Sequence, residues 1–485
     1  MGGAVVTPRA VDYGDVQGLA RFGHGHLPDA CYLLLTVERR DAACAWLASA
    51  PVTTAMKGAL PSTALNVAIS APGLRALGVP ESVVSQFADE FVTGISADAD
   101  RSRRLGDVGE NGPQYWQWGA PGREPHVLVA LYAARGGLDA LRLKVESEAF
   151  TAAFTQIACL DTTDLGGFEE FGFRDGISEP DVDWDRTRRL RGDKTNYSNQ
   201  VALGELLLGY PNEYDCYTER PLVSGGGAND ELASAEDDPK QRDVGLNGAY
   251  LVMRDLRQDV RGFWSFAMTD ELAAAFVGRK RDGTPLVPAA SQNDFTYAAD
   301  PGGTHCPYGA HVRRANPRNA DFPSTPTNPI ALGLQMLGIP KSAFHDDLTS
   351  SVRFHRIVRR GREYGAALSP ENARAPAPAG DPRRGLRFLC LNANIERQFE
   401  FVQSAWMQSD RFDGLYGESD PLLGNREPGP GRQPTDAFVQ ERDGAARARV
   451  DGLPRFVTVT GGAYFFLPSL RALRYFSRIG MEGTK

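Results

Sequence analysis

Cysteine is scarce in this sequence, and closely paired cysteines are lacking altogether. The six cysteines among 485 residues are scattered, and no two of them form a C-x-x-C pair. This pattern excludes a disulfide framework and a zinc site built from closely spaced thiols, and it is typical of reduced thiols in a cytosolic protein. Histidine is nearly as rare, with seven residues, so the set of candidate metal-binding imidazoles is short.

The sequence also lacks long hydrophobic runs and an excess of positive charge. No segment reaches membrane-spanning length, and the N-terminal stretch MGGAVVTPRAVDYGDVQG has no basic region followed by an apolar core. Lysine and arginine number 53 against 61 aspartate and glutamate residues, which gives a net charge of −8. This balance argues against nucleic acid or an anionic membrane as the main partner. We therefore expect a cytoplasmic protein that binds neither.

The chain does have the length and the strand-forming sequence for two domains. A chain of 485 residues exceeds one ordinary hydrophobic core. Three segments have a later counterpart of similar pattern: ACYLLLTVE (30–38) and GAYLVMRD (248–255), ALNVAISAPGLRALGVP (64–80) and LRFLCLNANIERQFEFVQSAW (386–406), HVLVALYAA (126–134) and RFVTVTGGAYFFLPSL (455–470). With helical stretches such as 136–154, they predict an α+β fold of two ferredoxin-like domains, 1–224 and 225–485. Each domain would have an antiparallel sheet with helices on one face.

His311 has the most informative surroundings of the histidines. It follows Cys-Pro and Tyr-Gly turns in HCPYGAHVRRANPR (305–318), and Arg313, Arg314 and Arg318 come soon after it. A histidine beside a cationic cluster suits an anionic ligand that carries a metal, as haem does. Imidazole then binds the iron, and guanidinium groups pair with the propionates. A packed histidine beside a basic surface explains the same pattern.

Two further segments place charged residues where the backbone is constrained. GFRDGISEP (172–180) holds Asp175 close to two glycines, and FHRIVRRGREYG (354–365) ends an apolar run with Arg359 and Arg360. Successive strand residues face opposite sides, so only one of these arginines can point inward. An inward arginine needs an anion or a developing charge to offset its desolvation. A solvated pair at a strand edge is the alternative.

Together these segments resemble the dye-decolourising peroxidase family. GFRDG matches the family's G-x-x-D-G signature, CPYGAHVRRANPR resembles its proximal-histidine segment, and HRIVRRGREYG resembles its distal-arginine strand. RFLCLNANIERQFEFVQSAW is similar to the distal-pocket strand and the helix after it, and DPLLG (420–424) to the segment with the acidic partner of the histidine. The resemblance covers nearly the whole chain in the expected order.

The resemblance implies two ferredoxin-like domains that enclose one haem b, with His311 as the axial iron ligand. It implies that Asp175 and Arg359 lie on the opposite, peroxide-binding face. Arg359 is preferred because it follows Ile-Val as the family's arginine does, but an apparent insertion at 320–344 leaves Arg360 open. Other residues are implied to contact or support the cofactor: Arg318 and, as a second candidate, Arg314 at a propionate; Gly176, Ile177, Leu386 and Phe388 beside the haem; and Asp420 at the other ring N–H of His311.

The function that this resemblance implies is a peroxidase that uses hydrogen peroxide to oxidise anthraquinone-type dyes and phenolic compounds. Its partners would be hydrogen peroxide and small aromatic reductants, with Asp175 as acid and base and Arg359 stabilising charge on the departing oxygen. The alternatives are iron release from porphyrin, non-catalytic haem storage, and a haem-free enzyme of the dimeric ferredoxin-like type. The sequence is silent on oligomeric state, and a homodimer is one option.

Overall fold

The computed structural model describes residues 9–187, 199–288, 295, 297, 299–318, 352–428 and 433–482. The strands in these ranges are β1 Asp29–Val37, β2 Thr63–Ile69, β3 Val127–Ala133, β4 Phe154–Asp161, β5 Asp181–Asp183, β6 Gln200–Ala202, β7 Leu222–Ser224, β8 Gln241–Asp243, β9 Ala249–Gln258, β10 Val358–Arg359, β11 Arg362–Tyr364, β12 Gly385–Asn392, β13 Phe438–Gln440, β14 Ala448–Val450 and β15 Val457–Leu467. The apparent insertion at 320–344 lies outside the described residues.

The helices are short, apart from the last. They are α1 Gly18–Phe22, α2 Arg40–Ser49, α3 Ala71–Ala76, α4 Glu81–Val84, α5 Asp89–Thr93, α6 Ala99–Leu105, α7 Leu138–Val145, α8 Glu148–Ala153, α9 Val260–Ala267, α10 Asp270–Val277, α11 His311–Ala315, α12 Pro370–Arg374 and α13 Leu470–Glu482. A π-helical stretch follows β12, in two segments, Glu396–Glu400 and Val402–Gln408. No helix among the described residues is long and apolar enough to cross a membrane.

Two ferredoxin-like units account for the main sheet. In the first unit the strand order is β2-β3-β1-β4, and in the second it is β10-β12-β9-β15, with β11 also paired to β12. Each order puts the first and third strands of a β-α-β-β-α-β unit in the centre, and all of these pairings are antiparallel. The predicted α+β fold with two ferredoxin-like domains is therefore confirmed.

The two units share one continuous sheet, which the sequence did not predict. Edge strand β15 of the second unit pairs antiparallel with edge strand β2 of the first, at Phe466 and Ile69. Pairing these edges covers backbone groups that would otherwise be open to another chain. The first unit's strands end at Asp161 and the second unit's begin at Ala249. A domain boundary at residue 224 stays a prediction.

The predicted correspondence between the halves is right for one pair of strands and wrong for two. By topology β1 matches β9, as predicted, but β3 matches β12 and β15 matches β4. The second strand of the later unit was recognised as the distal-arginine strand but not matched with β2, because Gly361 splits it into the short pieces β10 and β11. A Cβ at Gly361 would lie 2.6 Å from the carbonyl oxygen of Arg387, so only glycine allows this approach of β12.

Both faces of the sheet are buried, and alternate strand residues fill two cores. Cys31 and Leu33 of β1 enter one core, which the packed helices α2, α8 and α13 cover. Tyr32 and Leu34 enter the other, which α1 and the segment around 201–210 cover. A third apolar cluster joins α9 and α10 to the GFRDG segment. This third cluster positions the site described next.

Candidate active site

A cavity of about 380 Å³ opens against one face of the second unit's sheet. Its walls come from β9, β12 and the start of β15, from α11, from the π-helical stretch and from the segment 169–179. Most of the wall is apolar, whereas Asp175, Arg359 and His311 all line the same space. Strands β1–β4 contribute none of the lining residues that the structure describes. A mainly apolar cavity with a few convergent polar groups is the usual form of a small-molecule site.

The loop that carries Asp175 is anchored by one partly buried carboxylate and two aromatic rings. Glu169 accepts the backbone N–H of Phe171 and of Phe173, each at 3.0 Å. Phe171 packs on the ring of Phe263 at 4.5 Å, and its carbonyl accepts the indole N–H of Trp264 at 3.0 Å. Burial raises the pKa of Glu169 to about 7. These contacts fix the path of the loop where it enters the cavity.

The two glycines of GFRDG have positive φ, +87° at Gly172 and +76° at Gly176. Residues other than glycine rarely adopt this conformation, so the backbone geometry explains why both positions are glycine. A Cβ built on Gly176 has no heavy atom within 4 Å, and Gly176 lines the cavity. The backbone at Gly176 therefore leaves open space that a flat ligand can occupy.

Arg359 and Arg360 point to opposite sides of β10, as strand alternation requires. Arg359 lines the cavity, whereas the guanidinium of Arg360 donates to the carbonyl oxygens of Leu19 and Ala20 in α1. Val358, the residue before the pair, is buried in the core next to β12. The structure thus brings Arg359, and not Arg360, to the cavity.

Asp175 and Arg359 form an ion pair inside the cavity. Nη1 of Arg359 lies 2.9 Å from Oδ1 of Asp175, which also accepts the N–H of Gly176 at 2.6 Å. The positive charge of Arg359 lowers the pKa of Asp175 below its usual range, and Asp175 raises the pKa of Arg359. The Asp175 side chain is 36% exposed. Asp175 is therefore an ionised carboxylate that substrate can reach.

His311 begins α11 and is oriented by Asp420. Nδ1 of His311 lies 3.0 Å from Oδ2 and 3.1 Å from Oδ1 of Asp420. A carboxylate only accepts, so Nδ1 carries the hydrogen, and in the neutral imidazole Nε2 has a free lone pair. Burial opposes a charged imidazole, but the Asp420 carboxylate outweighs it and raises the pKa of His311. The His311 side chain is 27% exposed and lines the cavity.

The other predicted cofactor contacts divide into three groups. Gly176, Ile177, Leu386 and Phe388 all line the cavity, the last two as alternate residues of β12. Arg318 is buried just outside the wall, with its guanidinium 4.4 Å above the ring of Phe295, which does line it. Arg314 is not part of the described wall: its guanidinium donates to the carbonyl oxygens of Trp406, Ser409 and Glu418. Because the backbone uses its donors, Arg314 is not a candidate for contacting the cofactor.

Several polar residues of the cavity wall did not emerge from the sequence, and four of them are two glutamates and two arginines. Glu179 and Glu169 flank Asp175 in the chain, and Arg356 and Arg279 line the end of the cavity near Phe295. Arg356 donates to Oδ1 of Asn199, as Arg318 also does, at 3.1 and 2.7 Å. Arg356 stands in the quoted run HRIVRRG, but alternation from Arg359 would place it on the opposite side, and β10 begins only at Val358. No local signal marks Arg279.

These residues fit a haem. One imidazole nitrogen with a free lone pair faces an apolar cavity, while its other nitrogen is held by a buried carboxylate. The open space beside Gly176 provides room for a flat ring. At the other end, the guanidinium groups of Arg279, Arg318 and Arg356 gather around Phe295 and Asn199. Such a basic end suits the carboxylates of a propionate-bearing cofactor.

Known proteins that this chain resembles in sequence over most of its length are named peroxidases. The chain is 28% identical over 447 residues to the "Multifunctional dye peroxidase DyP2" of Amycolatopsis sp., which covers 82% of this chain and 83% of that protein. The "Dye-decolorizing peroxidase msp1" of Mycetinis scorodonius is 28% identical over 454 residues, or 85% of this chain and 76% of that protein. No model of a known protein family matches the chain.

Solved structures share the fold. A decolorizing peroxidase from Auricularia auricula-judae superposes with a TM-score of 0.70 and 22% identity, covering 97% of this chain and 100% of that one. A further structure with the same score, identity and coverage concerns a dye-decolorizing peroxidase whose heme pocket was engineered for asymmetric sulfoxidation. The motifs, the fold and the sequence similarity over most of the chain agree, and each of them resembles the dye-decolourising peroxidases, a family of oxidoreductases.

Proposed function

We propose that this chain binds one haem b and uses hydrogen peroxide to oxidise dyes of the anthraquinone type and phenolic compounds. The observation that carries the proposal is the placement of the Asp175–Arg359 pair and of His311 in one cavity. Bound haem would supply the redox centre, which takes up oxidising equivalents from peroxide and then oxidises the reductants one electron at a time. The protein residues supply position, proton transfer and charge stabilisation.

Asp175 is the proton carrier in this proposal. Its Oδ1 is occupied by Arg359 and Gly176, whereas Oδ2 has no hydrogen-bond partner among the residues the structure describes. The lowered pKa keeps the carboxylate ionised at neutral and mildly acidic pH, so it can accept a proton from one oxygen of peroxide. The protonated acid then returns that proton to the other oxygen, which leaves as water.

Arg359 stabilises the charge that builds on the departing oxygen. Its guanidinium carries five N–H groups. Contacts to Glu179, Asp175 and Ser178 use one on each nitrogen, which leaves one on Nη1 and one on Nη2 for substrate. Donors that are already fixed need no reorganisation during the reaction, so each can contribute strongly to the rate.

His311 and the basic end of the cavity would hold the cofactor. Nε2 of His311 would ligate the iron, with Asp420 fixing the ring. Arg318, as the sequence predicts, and in addition Arg356 and Arg279 would pair with the propionates. No C-x-x-C-H motif for covalent attachment occurs, which favours haem b.

Asp175→Asn tests the proposal. The haem-loaded variant should keep the Soret absorption of the wild type, while its reaction with one equivalent of hydrogen peroxide slows roughly a hundredfold to ten-thousandfold. Stopped-flow absorption measures this rate, and turnover of an anthraquinone dye and of a phenol measures the second half of the reaction. Asp164→Asn is the matched control, since Asp164 is a partly exposed carboxylate paired with Arg135.

Each outcome separates the proposal from an alternative. A wild-type protein that binds haem but ignores peroxide would point to haem storage or iron release, neither of which needs the Asp175–Arg359 pair. A protein that binds no haem would overturn the cofactor as well. Equal rates for Asp175→Asn and the wild type would remove Asp175 from the mechanism.

A further inference from the structure

Glu179 contacts both Arg359 and Arg360, whose side chains point to opposite sides of the sheet. Its Oε1 accepts Nε–H of Arg359 at 2.9 Å, and its Oε2 accepts the backbone N–H of Arg359 at 3.0 Å. Nη1 of Arg360 lies 3.6 Å from the same Oε2. One carboxylate therefore contacts both the side chain and the main chain of Arg359, and it reaches that residue's neighbour.

The contacts of Glu179 determine how the Arg359 guanidinium can lie. Arg359 is held at all three nitrogens: Nε by Glu179, Nη1 by Asp175 and Nη2 by the hydroxyl of Ser178, at 2.9, 2.9 and 3.2 Å. The contact at Nε lies on the edge nearest the backbone, so it sets the rotation of the plane. The backbone contact ties the same carboxylate to β10.

Glu179 also balances charge in this part of the cavity. Asp175 and Glu179 are two carboxylates on one guanidinium, and Arg360 contributes a second positive charge to Glu179. Glu169 and His311 line the same cavity, and Glu363 lies in the neighbouring strand β11. Without Glu179, Asp175 would be the one carboxylate still paired with Arg359 among the residues described, and the full charge of the guanidinium would act on the proton carrier.

We propose that Glu179 is a positioning residue that holds the Arg359 guanidinium in the orientation required for peroxide cleavage. The inference rests on the proposed function and goes beyond it, because Glu179 would act only through Arg359. It would neither carry a proton nor contact the departing oxygen.

A double-mutant cycle tests this dependence. Glu179→Ala should lower kcat/KM for hydrogen peroxide about tenfold to a hundredfold, the cost expected for a displaced catalytic group. In an Arg359→Leu background the same change should alter the rate by less than about twofold, because the guanidinium that Glu179 positions is gone. Equal losses in both backgrounds would overturn the proposal and give Glu179 a role of its own.

Glu179→Gln provides a rescue test with little change in shape. Glutamine keeps one acceptor oxygen, but its NH₂ replaces the other, so one of the two Arg359 contacts is lost. We expect an activity between those of the wild type and Glu179→Ala. Activity no higher than that of Glu179→Ala would contradict positioning by hydrogen bonds. Glu81→Gln is the control, since it removes the same charge from an exposed ion pair with Arg75.

Crystal structures of the haem-loaded variants give a readout independent of turnover. In Glu179→Ala the Arg359 guanidinium should rotate, and at least one of its contacts to Asp175 and Ser178 should open beyond about 3.5 Å. An unmoved Arg359 would overturn the proposal even if the rate fell. If the wild type proved inert to peroxide, the proposed function would fail, whereas this structural comparison would still decide whether Glu179 positions Arg359.

Discussion

The two polar sides of the cavity use the same kind of pair in different surroundings. On one side Asp420 holds His311, and on the other Asp175 holds Arg359. The Asp420 side chain is 0% exposed, and its Oδ1 also accepts the backbone N–H groups of Leu422 and Leu423 at 2.9 and 2.7 Å. The Asp175 side chain is 36% exposed and keeps one oxygen open. Both oxygens of Asp420 accept hydrogen bonds, from the His311 ring and from backbone N–H groups. Oδ2 of Asp175 has no such partner among the described residues and can accept a proton.

This contrast shows how one residue type serves two purposes. A fully buried carboxylate with several donors is fixed in place and can orient a ligand. A carboxylate open to the cavity exchanges protons with whatever enters it. Changes on the His311 side should therefore affect cofactor retention, and changes on the Arg359 side should affect the rate.

The largest effect should come from His311→Ala, which removes the proposed iron ligand. We expect the purified variant to lose nearly all bound haem, because it lacks the imidazole that Asp420 orients. His355 also lines the cavity, but its Nδ1 pairs with the carbonyl oxygen of Arg397 and its ring stacks on Phe401. Soret absorption and haem titration measure the loss. His305→Ala is the control, since this partly exposed histidine lies in the same segment but outside the cavity wall. Wild-type haem content in His311→Ala would remove the distinction between the two sides.

Arg359→Lys tests the opposite side. Lysine keeps the charge but loses the planar fork, so the contacts to Asp175, Glu179 and Ser178 cannot all form. The rate with hydrogen peroxide should fall roughly a hundredfold to a thousandfold while haem content stays at the wild-type level. Exposed Arg383→Lys should react like the wild type. A larger loss in Arg360→Lys than in Arg359→Lys would transfer the role to Arg360.

Asp420→Asn weakens the hold on the His311 ring but keeps the proposed iron ligand. The amide cannot hold the imidazole as a carboxylate does, so haem affinity should fall about tenfold to a hundredfold. Competition with apomyoglobin for haem measures the change. Glu418→Gln is a useful comparison because Glu418 is also buried two residues away and makes no contact with His311 in the described structure. Equal losses in both variants would indicate a general packing effect.

The smallest effect concerns Glu170, a buried carboxyl that lacks the donors that Asp420 has. Neither oxygen has a hydrogen-bond partner among the described residues, and burial raises its pKa to about 8. This pKa exceeds the ~4.3 of a free glutamate, so the folded protein favours the protonated Glu170 carboxyl. The contribution of this carboxyl to folding stability is complete below pH ~4.3 and is lost as pH rises through about 8. The melting temperature of Glu170→Gln relative to the wild type should therefore rise by about 3 °C between pH 5 and pH 9.

Exposed Glu81→Gln should show no such trend over this range. A flat difference for Glu170→Gln would mean that the Glu170 carboxyl finds a partner in solution. Differential scanning calorimetry at matched ionic strength measures both variants.

The sequence predicted the fold class and several of the residues that line the cavity, through local patterns and the family resemblance. Strand alternation restricts one of Arg359 and Arg360 to the inside, and the turn residues before His311 place it at a helix start. Glu179 was hidden for the opposite reason. Its role depends on contacts across 180 residues, and nothing in GFRDGISEP distinguishes a glutamate that holds an arginine from a solvated one.

Two sequence predictions differ from the structure for related physical reasons: the placing of Arg314 at the cofactor, and the matching of strands between the two halves. Arg314 belongs to a basic cluster, but on a short helix only some members can face the cavity, and the carbonyl groups that bind Arg314 come from residues 406–418. The strand pieces β10 and β11, of two and three residues, are too short for a periodic pattern. Long-range pairing, such as that between β15 and β2, leaves no mark in either strand alone.

The position of β15 in the chain has a consequence for synthesis. It follows every other strand that the structure describes, yet it lies between β9 and β2 in the sheet, and its first residue, Val457, lines the cavity. On the ribosome the first unit can pair its strands early, while β9 and β2 both keep an open edge until the last part of the chain emerges. Joining the halves and completing the cavity wall thus become one late event, and nascent chains that stall before this point present two unpaired edges for chaperones to protect.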